Sequence, residues 1–266
     1  MLSEFNRNQS VLALRQGVSR GPLGSRSPAW SKRTEIYSNI SEAKLRAIQN
    51  IKLDGPSYSA KIDTLIKHLL WLREEDPGAK SIIFSQFRSF LLILQRALTS
   101  HRIGFAAFTP LANKSREIQR FKDDASIECL LMDAKAHSSG LNLVNASHVF
   151  LCEPLLNTAL ELQAIARVDR IGQEHETTVW LYIVEGTVEE NIYGLSERRR
   201  LAHMGDMTKQ KAKAITHGVE VADLEAANSR ELEQAGNASL MSKSEEGEVV
   251  NKGDLLECLF GGAVVV

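Results

Sequence analysis

The 266-residue chain predicts an open, doubly wound α/β domain on a mostly parallel sheet, flanked by irregular N- and C-terminal tails. Three observations point there. Short apolar stretches such as Ser81-Ile-Ile-Phe-Ser85 show little polar alternation, as expected of strands covered on both faces. Stretches of helical period separate them, supplying the crossovers that parallel strands require. Breakers such as Asp54-Gly-Pro56 and Pro77-Gly78 punctuate the junctions.

Taken in order, residues up to about Pro56 read as irregular, with a short helix around Ser41 to Asn50. Ser59 to Glu75 is an amphipathic helix with Ile62, Leu65, Ile66, Leu69 and Leu70 on one side. Strand Ser81 to Ser85 leads into helix Phe87 to Ser100, and strand Ile103 to Phe108 into helix Asn113 to Lys122. Strands Ile127 to Met132 and His148 to Cys152 follow, then helix Thr158 to Arg170, strand Thr178 to Val184 and helix Thr187 to Arg200. Beyond His203 the strands stop; Val219 to Gln234 and Asp254 to Phe260 are helical candidates around a polar stretch. The chain therefore divides into a partly disordered leader at 1–57, a folded domain at 58–202 and a helical or disordered tail at 203–266.

Composition narrows the function classes. A net charge of −1 does not announce a nucleic-acid binder, so any such binding comes from a local patch. The three cysteines are far apart, and Cys129 and Cys152 sit in apolar runs, where a small buried hydrophobe is expected. That count excludes a zinc module needing several clustered ligands, so no metal is expected on this chain. No apolar run reaches membrane-spanning length, and no membrane partner is expected. The first thirty residues hold Arg7, Arg15, Arg20 and Arg26 against one acid, Glu4, which suits a basic leader.

The most informative stretch runs from Gln163 to Gln173. Gln163, Arg167 and Arg170 fall at i, i+4 and i+7, one face of a helix, beside an apolar stripe of Leu160, Ala164, Val168 and Ile171. Guanidiniums are planar, permanently charged donors suited to phosphate. Spacing alone leaves two readings open, an ion-paired solvated face or an anion site. The chain has no G-x-x-x-x-G-K-[ST] loop. Gly78-Ala-Lys80-Ser81 looks like the tail of one, yet it enters a strand where a phosphate loop must leave one, so it reads as a turn. No acidic motif for Mg²⁺ ends an apolar strand. The machinery for holding a nucleotide is thus half absent.

Gln163 to Gln173 resembles motif VI of superfamily-two helicases in its Swi/Snf-type form, Q-A-x-x-R-x-x-R-I-G-Q. Its companions stand in order. Ser81 to Phe87 resembles motif IV, Ser138-Ser-Gly140-Leu-Asn142-Leu143 resembles motif V, and Glu153 to Asn157 sits where the family has D-x-x-W-N-P. Thr187-Val-Glu-Glu190 resembles the helix that closes the second lobe. The wording of these motifs, with the ending near Leu255 to Gly261, is most similar to the RING-finger-bearing branch found in fungi. The match covers roughly Ser59 to Leu201.

The resemblance implies a second RecA-like helicase lobe. Such a lobe completes an ATP site whose phosphate loop, Mg²⁺ acids and catalytic base lie on a first lobe. By that resemblance Arg167 and Arg170 reach the triphosphate, with Arg170 nearer the γ-phosphate, and Gln163, Gly140 and Asn142 belong to the nucleotide side. Ser138 and Ser139, with Ser85 and Gln86, belong to the backbone of double-stranded DNA. It further implies a first helicase lobe as partner, chromatin proteins, a nuclear location and no turnover by this chain alone. His137-Ser138 replaces the usual glycine pair of motif V, Leu156-Asn157-Thr158 replaces W-N-P, and Phe108-Thr-Pro110 replaces an R-L-D-G turn. A non-enzymatic lobe that binds partners is the alternative these absences leave standing.

Overall fold

The computed structural model describes residues 13–19, 38–108, 113–133, 143–157, 175–199 and 252–260, together with Glu161, Ala164, Ile165, Val168 and Gln173. Seven strands form one sheet: β1 (Ala13–Ser19), β2 (Ser38–Asn39), β3 (Ser81–Ser85), β4 (Phe105–Ala107), β5 (Cys129–Asp133), β6 (His148–Leu151) and β7 (Thr177–Ile183). The spatial order is β2-β1-β7-β6-β3-β5-β4. From β7 to β4 the five strands are parallel, as the apolar runs predict.

The helices are α1 (Glu42–Asn50), α2 (Ala60–Glu75), α3 (Arg88–Ser100), α4 (Lys114–Asp123), α5 over residues 188–199, and α6 (Lys252–Phe260). Their starts follow from local chemistry. Ser59 Oγ accepts from Ile62 N at 3.2 Å, and Asn113 Oδ1 accepts from Ser115 N at 3.0 Å, satisfying amides that lack helical partners. Ser41 Oγ does the same for Lys44 N at α1.

Strand alternation sorts the core into two layers. Ile82, Phe84, Leu130, Val149 and Val179 pack on one face with Phe121 of α4 and Ala164, Ile165 and Val168 of the segment after β6. Ile83, Leu131, Phe150, Trp180 and Tyr182 point the other way, onto α1, α2 and α3. Within that second layer His68 is fully buried, its Nδ1 2.8 Å from Tyr182 Oη and its ring edge-on to Trp180. Burial drives the His68 pKa well down, so the imidazole stays neutral. All three cysteines are free and buried, as the apolar runs predicted for Cys129 and Cys152. Among the described residues no helix is long and apolar enough to cross a membrane.

The leader corrects the expectation of an irregular N-terminal tail. β1 runs antiparallel to β7 from Ala13↔Ile183 to Ser19↔Thr177, and β2 adds to its outer side. Its sequence shows no clean period, because the pairing is dictated by the open edge of β7 and made through backbone groups. The tail helix appears as Lys252–Phe260, two residues longer than expected, with Cys258 buried against Leu156 and Leu195. The candidate helix Val219 to Gln234 lies outside the described residues.

The turn before β3 has a purely structural use. Lys80 Nζ donates to the carbonyls of Phe121, Asp124 and Ile127 at 2.6, 2.8 and 2.9 Å, closing the C-terminal end of α4. Gly104 nearby permits a close approach, since a Cβ there would stand 1.7 Å from Ser126 O. Replacing Lys80 with Met leaves those carbonyls without the ammonium. Urea unfolding is expected to show a loss on the order of 1–3 kcal/mol, and an unchanged midpoint would refute the capping role.

Candidate nucleotide and nucleic-acid site

β3 lies between β5 and β6, and its connection through α3 runs over one face of the sheet. The segment leaving β6 packs on the opposite face. Adjacent strands whose exits diverge leave a crevice at their carboxyl ends, where open α/β sheets take ligands. Ser85 and Gln86 stand there at the end of β3, and Cys152 and Glu153 at the end of β6.

A network of polar groups ties these exits together. Cys152 N donates to Phe84 O at 3.0 Å, extending the β3–β6 pairing by one step. The backbone N–H of Gln86 donates to the Glu153 carboxylate, and Ser85 Oγ accepts from Phe87 N at 3.1 Å. Ser85 and Gln86, expected at a DNA contact, are 1% and 6% exposed, and Gln86 Oε1 has no hydrogen-bond partner among the described residues. A buried amide with a free end is unusual, because such groups are normally satisfied. Glu153 is itself buried, which raises its pKa to about 7; the Gln86 amide, the Lys61 charge and the Ser85 hydroxyl oppose the rise.

Lys61, from the first turn of α2, reaches the same exit. Its ammonium donates to Cys152 O at 2.6 Å and to both oxygens of Glu189 at 2.6 and 2.8 Å. Glu189 belongs to the first turn of α5, and its Oε2 also accepts from Val184 N at 2.8 Å. Thr187 Oγ1 accepts from Glu189 N at 3.3 Å, which starts that helix.

The two arginines and Gln163, and Ser138, Ser139, Gly140 and Asn142 of the motif V stretch, lie outside the described residues. Their neighbours are described. Ala164 and Val168 are buried, as the predicted stripe requires, and Ile165 joins them. Glu161, which the sequence gave no reason to bury, is buried too. Gln173, the last residue of the motif, was assigned no role. Its Nε2 donates to Ala146 O at 2.7 Å and Val168 O at 3.2 Å, and its Oε1 accepts from His175 N at 3.0 Å. Its place beyond a Gly at a helix end was the one available signal.

Phosphate has no cradle at Gly78–Ser81. That stretch lies at the amino end of β3, opposite the crevice, and Lys80 is committed to carbonyls. The architecture is that of an open α/β lobe with its crevice at the carboxyl ends of β3 and β6.

Comparison with known proteins places the family. Residues 60–172 match the helicase conserved C-terminal domain. The human E3 ubiquitin-protein ligase SHPRH is 33% identical over 199 residues, covering 75% of this chain and 12% of that protein. The ATP-dependent helicase IRC20 of Saccharomyces cerevisiae is 36% identical, covering 88% of this chain and 15% of that protein. DNA repair protein rad5 of Neurospora crassa is 39% identical over 58% of this chain and 13% of its own length. The crystal structure of the C-terminal part of the Fun30 ATPase domain superposes with a TM-score of 0.50 at 30% identity, covering 56% of this chain and 48% of that one. Residues 60–172 thus carry a helicase C-terminal domain, and the chain is similar to the second RecA-like lobe of the Swi/Snf-type superfamily-two ATPases, including relatives of the RING-finger-bearing branch. It spans roughly an eighth of the length of these relatives.

The raised Glu153 pKa sets a sign for pH dependence. An acid whose folded pKa lies above its unfolded value favours folding at low pH, and that advantage is lost as pH rises through the folded value, about 7. Glu153→Gln removes the buried charge. Its melting temperature relative to the parent is expected to be most favourable at about pH 8 and to decline toward about pH 5. A difference that does not vary with pH would show that Glu153 does not titrate in this range.

Proposed function

We propose that the chain serves as the second lobe of an ATP-dependent double-stranded-DNA translocase of the DNA-repair or chromatin type. A first lobe, in the same polypeptide or in trans, supplies the phosphate loop, the Mg²⁺ acids and the catalytic base. The observation that supports this reading is the order of five family motifs along the sequence, with no phosphate loop among them.

Arg167 and Arg170 are assigned to the triphosphate, Arg170 to the γ-phosphate. Their charge stabilises the phosphoryl group as it transfers, an effect worth roughly 10³–10⁵ in rate where such arginines have been removed. Gln163, Gly140 and Asn142 orient the nucleotide. Ser138 and Ser139, with Ser85 and Gln86, are assigned to the phosphate backbone of DNA, where small residues and free amides allow close approach. Relatives named for DNA repair support the DNA partner and a nuclear location.

The purified 266-residue chain is expected to hydrolyse no ATP, with or without duplex DNA. Adding a first lobe in trans restores DNA-stimulated turnover, and Arg170→Ala lowers it by about 10³ or more. DNA-stimulated hydrolysis by the chain alone would overturn the proposal.

A further inference from the structure

Helix α3 carries apolar side chains on both of its sides. Leu91, Leu94, Ala97 and Leu98 are buried toward the sheet, which accounts for the inner face. Leu92 and Ile93 face outward at 51% and 44% exposed, and Phe87 at the helix entrance is 40% exposed. Arg88 and Arg96 are exposed beside them, and neither forms an ion pair among the described residues. At about 100° per residue, Arg88, Leu92, Arg96 and Ile93 fall within about 140° of arc and make one continuous strip. No Asp or Glu occurs between Asp76 and Glu117, so the helix itself supplies no counter-charge to this strip.

We propose that this strip docks an acidic amphipathic helix of a partner protein. A lone exposed leucine is ordinary on a folded domain, but adjoining ones edged by unpaired cations mark a contact surface. Apolar residues spaced one turn apart on the incoming helix cover Leu92 and Ile93, and carboxylates flanking them meet Arg88 and Arg96. Guanidiniums can hold carboxylates bidentately, which fixes the register of the incoming helix where apolar contact alone would not. The same charges attract DNA, yet a phosphate backbone has nothing apolar to set against Leu92 and Ile93, and that decides for a protein. The strip lies on the layer that α3 shares with α1 and α2, and the proposal does not rest on the nucleotide reading.

Fluorescence anisotropy with the full chain tests it. The probe is a dye-labelled helical peptide with leucines one turn apart and glutamates flanking them; two companion peptides carry lysine for glutamate, or serine for leucine. The glutamate–leucine peptide is expected to bind saturably, and each companion at least about tenfold more weakly. Leu92→Ser with Ile93→Ser should weaken it at least about tenfold while the melting temperature stays near the parent's, since both side chains are exposed. Arg88→Glu with Arg96→Glu should reverse the preference, favouring the lysine peptide about tenfold, a swap that a folding defect cannot produce. No saturable binding up to about 1 mM, or equal binding of all three peptides, overturns the proposal. Duplex DNA that displaces the peptide and itself loses binding in the Leu92 and Ile93 variants would assign the strip to nucleic acid and overturn it too. So would a dimer in sedimentation of the chain alone that Leu92→Ser dissolves, since a second copy is then the occupant. Should the charge-reversed variant not fold, Arg88→Gln with Arg96→Gln takes its place, and an undiminished affinity for the glutamate peptide counts against the proposal.

Discussion

The domain depends on β3 being buried on both faces and paired on both edges. All five of its residues are buried, with β5 in register on one side and β6 on the other. Every backbone group of such a strand must find its partner in the sheet. This strand also begins the divergence of exits that opens the crevice. Burial and site are therefore consequences of one pairing: the strand most enclosed along its length is the one whose end faces the ligand side.

What happens at that end departs from the logic of the core. Two glutamates, a lysine and a glutamine gather at the exits of β3 and β6. Burying a charge is unfavourable unless each of its partners is in place. The Lys61–Glu189 pair meets that demand with a backbone carbonyl and a backbone amide as third and fourth members. Glu153 meets it less fully, which is why its proton is held more tightly than that of an ordinary carboxylate. Polar groups retained at such expense belong where geometry matters more than stability.

Much of this was legible in the residues. Apolar runs located β3, β5, β6 and β7 because strands covered on both sides cannot alternate. Ser41, Ser59 and Asn113 marked helix starts because their side chains cap amides locally. The stripe at Ala164 and Val168 told which side of the motif helix meets the sheet. Three things did not show. β1 owes its existence to the edge of another strand, and nothing in Arg15-Gln16-Gly17 announces that. Lys61 reads as one more charge on a helix surface, because its partners lie 91 and 128 residues away. Gln173 bonds carbonyls, which every residue possesses, so its partners carry no signature in side-chain identity.

The leader strand has a consequence for solubility. A parallel sheet built from β7 to β4 presents two outer edges. The β4 edge is only three residues long, too short to template much. The β7 edge is seven residues long and apolar, with Val179, Leu181 and Ile183 in one continuous stretch. Left bare, it would invite a neighbouring molecule to add a strand, the first step of intermolecular sheet growth. β1 and then the two-residue β2 occupy that place, so the sheet tapers at both rims, and the chain guards against self-association with its own N-terminal residues.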